Sequence, residues 1–81
     1  MVDVKLCQVS IGQQVFSQQS RQQISLWDEQ LNSWVLTTSV FPGVVVERTA
    51  RSFGSKVDSI ITVLGPSGVY FLNGMTVVGV H

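Results

Sequence analysis

The feature that most constrains this chain is the shortness of its apolar runs and the turn residues that cut them. From residue 40 onward, stretches rich in Val, Ile, Tyr and Phe are interrupted by Pro42-Gly43, Gly65-Pro66-Ser67-Gly68 and Asn73-Gly74. A globular helix wants about 8–20 residues, whereas strands average about 5–6. β-Branched and aromatic side chains also suit a pleated, half-buried surface better than a helix. The pattern therefore predicts strands near residues 44–50, 57–64, 69–72 and 75–80. Asn73-Gly74 stands between two of them and predicts a hairpin closed by a type I′ turn, in which both central residues need a positive φ.

The first half reads in the same way. Val2, Val4 and Leu6 alternate with Asp3 and Lys5, the period-two pattern of a half-buried strand. The apolar parity then shifts to Val9 and Ile11, which predicts either a bulge near Cys7-Gln8 or the end of the strand there. Ile24, Leu26 and Trp27 precede a turn over Asp28–Asn32, and Trp34 and Leu36 follow it, so this stretch predicts a second hairpin with the tryptophans facing across it. Residues 13–23 carry only Val15 and Phe16 among Gln, Ser and Arg21. They read as a polar surface segment or as an arm ordered on a partner.

One stretch supports a competing fold. Val46, Ala50, Phe53, Val57, Ile60 and Leu64 recur at helical spacing, and Gly65-Pro66 would stop such a helix. Against it stand Gly54 in mid-segment and the β-branched cluster Val57, Ile60, Ile61, Thr62 and Val63, all of which disfavour a helix. The expected fold is all-β: one domain over residues 1–81, a small barrel or sandwich of six or seven short antiparallel strands. The alternative is α+β, with one helix near 46–64 and a C-terminal hairpin.

The 81 residues make a thin core. Scaling gives a compact chain of this mass about 4,800 Å² of accessible surface, with about 63% of the open chain's surface buried. The usual staples of small domains are missing from the sequence. Cys7 is the only cysteine, so no intrachain disulfide forms, and no Cys/His cluster has zinc-ligand spacing. Only 12% of residues are charged and the net charge is zero. Typical soluble domains are roughly 25% charged. A Gln-, Ser- and Thr-rich surface suits burial against other subunits, because few ions have to be desolvated. Zero net charge supplies no overall field to attract nucleic acid or an anionic membrane. No stretch resembles a signal peptide or a membrane-spanning helix, so the expected location is the cytoplasm or a virion.

The chemistry-bearing residues are sparse. The single histidine, His81, is the last residue, which leaves no His for a Ser–His–Asp or Cys–His arrangement in the body of the chain. Asp28 and Glu29 fall in a turn, and no acidic loop has calcium-ligand spacing. Gly54-Ser55-Lys56 lacks the upstream glycine of a phosphate-binding loop. These observations predict no enzyme, no cofactor and no metal. The one basic feature is Arg48, Arg51 and Lys56 interleaved with Phe53, the alternation used by single-stranded nucleic-acid grooves. Glu47 and Asp58 bracket it and leave residues 47–58 at only +1.

Two functional expectations follow. The first is a structural or interaction protein, a homo-oligomer or small subunit of a larger assembly such as a virus or phage particle. Its expected partner-binding anchors are Trp27, Trp34, Phe53 and Tyr70. The second is a small β-barrel binding nucleic acid through Arg48, Arg51, Phe53 and Lys56.

Overall fold

The computed structural model describes residues 2–18, 22–38 and 40–81, except for the side chains of Phe53 and Lys56. The described chain is all-β. Its strands are β1 (Val2–Lys5), β2 (Gln14–Val15), β3 (Ile24–Asp28), β4 (Ser33–Thr37), β5 (Gly43–Phe53), β6 (Lys56–Gly65), β7 (Gly68–Asn73) and β8 (Val77–Val80). A single 3₁₀ turn, Leu6–Gln8, follows β1. All pairing is antiparallel. One sheet has six strands in the order β2–β5–β6–β7–β3–β4, and the other is the pair β1–β8. Phe16 and Gly79 exchange backbone hydrogen bonds of 2.9 and 2.8 Å and link the two sheets. The arrangement is sandwich-like, and the strands do not close into a barrel.

The helical reading of 46–64 does not hold. Residues 43–53 and 56–65 form the longest hairpin, paired from Val44↔Leu64 to Phe53↔Lys56. Gly54 has φ +63°. It occupies the first central position of the two-residue connection, where a hairpin turn demands a glycine-type conformation. The supposed helical stripe is no stripe in space, because Ile60 is buried while Val57, Leu64 and Val46 are exposed. Propensity outweighed periodicity here: the β-branched cluster and Gly54 disfavour a helix more than the 3–4 spacing supports one.

The Asn73-Gly74 hairpin is also corrected. β7 pairs with β6 and β3, whereas β8 pairs with β1, so Asn73-Gly74 is a corner between sheets. Neither residue has a positive φ. Asn73 Oδ1 instead accepts the Met75 N–H at 2.8 Å, and the Asn73 carbonyl accepts the Thr76 N–H at 3.0 Å. Gly74 is needed for closeness. A Cβ there would lie 2.8 Å from the Ser59 Cβ and 3.1 Å from the Cys7 Cβ. At the other corner, the parity shift at Cys7-Gln8 marks a strand end rather than a bulge: β1 stops at Lys5 and a 3₁₀ turn follows. The turn is held by Leu6 N–H to the Thr76 carbonyl and Cys7 N–H to the Gly74 carbonyl, both 2.9 Å.

The core lies between the sheets. Leu6, Val9, Val15, Ile24, Val40, Val45, Ile61, Val63, Leu72, Val78 and Val80 form one buried cluster, with Val4, Leu26, Phe41 and Tyr70 packed against it. Burying one such aliphatic side chain contributes about 1.5–3 kcal/mol. The Gln-rich segment contributes to this core through Val15, so its described part is anchored rather than a free arm. Gln22 reinforces the anchor: its Oε1 accepts from the Ser17 hydroxyl and the Gln18 N–H, and its Nε2 donates to the Val77 carbonyl. Residues 19–21 of that segment lie outside the described residues.

The molecule measures 36 × 21 × 18 Å along its principal axes. Its accessible surface of 5065 Å² slightly exceeds the scaling value of about 4,800 Å². The far end of the β5–β6 hairpin accounts for this elongation. β7 accompanies β6 only as far as Ile60↔Asn73, and β2 pairs β5 only at Gly43 and Val44. Among the described residues, no helix is long and apolar enough to cross a membrane.

Candidate functional site

Residues opposite one another in an antiparallel pair project from the same face, so the registers sort the six-stranded sheet into two sides. The inner side carries Val63, Tyr70, Ile61, Leu72 and Leu26 and meets the core. The outer side carries a second set. Val44, Leu64 and Val69 form one cross-strand row, and Glu47, Thr62 and Phe71 form the next. One position beyond the Leu26↔Leu72 pair, Trp27 continues the second row, and its partner on β4 is Trp34.

This outer face sets exposed apolar side chains among polar ones, Glu47, Thr49, Ser25 and Asn73. Leu64 is 49% exposed, Val69 54% and Leu36 70%. Trp27, by contrast, is only 4% exposed, although it lies on the side away from the main core. Two of the side chains that cover it are Trp34 and Arg51. Trp34 stacks edge-on against it, with ring centroids 5.2 Å apart and planes at 70°. From β5, Arg51 sets its guanidinium carbon 5.9 Å from the Trp27 ring centroid, a cation–π distance. Arg51 also lies 3.6 Å from the Glu29 carboxylate on the β3–β4 turn. Both side chains of that ion pair are substantially exposed, so it contributes at most about 1 kcal/mol. Its effect is to hold the projecting hairpin against the tryptophans. The turn itself is shaped by Asp28 Oδ1, which accepts the N–H groups of Gln30 at 2.9 Å and Leu31 at 3.1 Å. Beside this cluster, Leu26, Trp27, Glu29, Val69 and Phe71 line a shallow hollow open to solvent.

The expected anchors are therefore not one patch. Trp27 and Trp34 meet, as the hairpin reading anticipated, but Trp27 is buried and only Trp34 is partly accessible. Tyr70 sits on the inner face against the core. Phe53 ends β5, and its side chain lies outside the description. Leu36, Leu64 and Val69 complete the apolar surface and were missed by sequence reading. Val69-Tyr70-Phe71-Leu72 is apolar on both faces, so alternation gave no sign of which side was outward.

The basic set divides as well. Arg48 and Arg51 are three residues apart on a regular strand and point to opposite faces. Arg48 donates to the Cys7 carbonyl at 3.4 Å, and Arg51 is engaged with Trp27 and Glu29. The Lys56 side chain lies outside the description. Among the described residues, no group of three His, Cys, Asp or Glu side chains is placed to hold a metal ion. His81 packs its ring edge-on against Phe16 at 4.7 Å. Comparison with known proteins returned no match to a family model, a curated protein or a solved structure.

Proposed function

We propose that this chain is a non-enzymatic structural subunit that acts through protein–protein contact, one small member of a larger assembly such as a virus or phage particle. The observation that carries this reading is the outer face of the six-stranded sheet. Leu64 and Val69 are cross-strand neighbours about half exposed, they lie beside the Phe71–Trp27–Trp34 row, and Leu36 stands out at the sheet's end. Exposed apolar side chains beside an aromatic row are a usual signature of a contact site. The low charge of the chain fits, because such a surface is buried with little ion desolvation. On this reading its location is the cytoplasm or the particle itself.

The test is the double variant Leu64→Lys/Val69→Lys, compared with wild type by size exclusion and light scattering. Half of each side chain is already buried, so completing the burial contributes about 1 kcal/mol per residue. Losing both weakens association by roughly tenfold or more. An assembly that is unchanged by the two lysines, in a variant that still folds, would overturn the assignment of this face.

A further inference from the structure

β4 ends the six-stranded sheet and, among the described residues, is hydrogen-bonded to a strand on one side only, β3. Sheet ends are normally guarded by lysine, proline, a bulge or very short length, because their free N–H and C=O groups template pairing with another chain. β4 has none of these guards. Its five residues are Ser33-Trp34-Val35-Leu36-Thr37, without a charge or a proline, and its register with β3 is unbroken from Ile24↔Thr37 to Asp28↔Ser33. One edge of the two-stranded sheet differs. β1, at the edge of the two-stranded sheet, carries Asp3 and Lys5 within four residues.

We infer that β4 is the site at which two copies of this chain pair, strand to strand and antiparallel, about a two-fold axis midway between their Val35 residues. The inference rests on the assembly reading above and names one of its contacts. A two-fold axis normal to the sheet keeps outer faces with outer faces. The side-chain period is two, so Trp34 can oppose only another outward residue, and the residue at the centre of the register must oppose its own copy. Centred on Val35, the register pairs Ser33 with Thr37′, Trp34 with Leu36′ and Val35 with Val35′, and uses every residue of the strand. Centring on Trp34 or Leu36 leaves strand residues at both ends of the pairing without a strand partner. The chosen register is also chemically matched. Leu36, the most exposed large hydrophobic residue described at 70%, is covered by Trp34′, and the reciprocal contact covers Trp34. No like charges meet, and the Phe71–Trp27–Trp34 row continues into Leu36′ of the second copy.

The occupant is a second copy rather than a foreign strand because the sequence of β4 is complementary to itself about its own centre. A foreign peptide would gain the same backbone bonds without the reciprocal Trp34–Leu36′ contacts.

The test uses the full chain with Cys7→Ser as background. Val35→Cys in this background is incubated with oxidised glutathione and compared with Leu31→Cys, which places a thiol at an exposed position outside the strand. Directly opposed antiparallel residues have Cα atoms about 4.5–5.5 Å apart, within disulfide range. The expected result is a covalent dimer from Val35→Cys and little from Leu31→Cys. A second pair of variants, Ser33→Lys/Thr37→Lys and Ser33→Glu/Thr37→Glu, places like charges opposite each other at two positions. Each alone should dimerise about tenfold more weakly, and an equimolar mixture should recover dimer. If wild type assembles but Val35→Cys does not cross-link and the charged variants assemble like wild type, the β4 edge is overturned and the outer-face reading stands. If wild type is a monomer at every concentration, the edge inference is overturned. The outer-face reading is then decided separately, by whether Leu64→Lys/Val69→Lys loses a foreign partner.

Discussion

Replacing each tryptophan in turn by alanine separates a structural role from a contact role. Trp27 is 4% exposed, with Trp34 on one side and the Arg51 guanidinium on another. Removing a buried Trp side chain costs about 3–5 kcal/mol through lost transfer free energy and the cavity left behind. Domains are stable by roughly 0.05–0.15 kcal/mol per residue, so this chain has about 4–12 kcal/mol in all. Trp27→Ala should therefore leave the protein marginal or unfolded. Trp34 is at the sheet's end and partly accessible. Its removal forfeits part of its burial and the aromatic pair, which is itself worth about 0.5–1.5 kcal/mol, for a total near 2 kcal/mol. With about 4–8 °C per kcal/mol for a domain of this size, Tm falls by about 8–16 °C but folding survives. The assay is urea unfolding followed by the fluorescence of the remaining tryptophan, with the oligomeric mass measured in parallel. Trp34→Ala should keep a cooperative transition and lose self-association. If Trp34→Ala destabilises as much as Trp27→Ala, or if it assembles like wild type, the division of roles is refuted.

Two further outcomes test the local geometry. Gly74→Ala places a methyl group 2.8 Å from the Ser59 Cβ, an atom fixed to the backbone of β6, so thermal unfolding should show a loss of about 1–3 kcal/mol. Arg51→Ala should cost about 1 kcal/mol, mostly by uncovering Trp27. Glu29→Ala should cost under about 0.5 kcal/mol, a difference that disappears in 1 M salt if the ion pair is as exposed as it stands. Denaturant titrations of both variants at two salt concentrations check this.

The strands were legible in the sequence because their signals were local. β-Branched runs bounded by Pro and Gly gave β5, β6 and β7, and Trp27 and Trp34 marked the β3–β4 pairing before any contact was known. What failed depended on partners far along the chain. Asn73-Gly74 carries the composition of a hairpin turn, yet β8 finds β1, more than seventy residues away, and the glycine serves a close approach to Ser59 and Cys7. Val15 sits in a Gln-rich stretch with no periodicity, and only tertiary pairing to β5 shows that it belongs to the core. The contact surface was half legible. The two tryptophans were identified as a pair, but Tyr70 turned inward and Leu36, Leu64 and Val69 turned outward. A strand that is apolar on both faces carries no mark of which one is covered.

The most direct test of the central claim is the absolute mass of the wild-type chain in solution, measured by light scattering across a micromolar dilution series at two salt concentrations. The expected result is a mass that is a multiple of 8.9 kDa, insensitive to salt because β4, the strand that pairs, carries no charge. A mass of 8.9 kDa at every concentration, or association that dissolves as salt is raised, would contradict self-association through β4 and leave the outer face to a foreign partner.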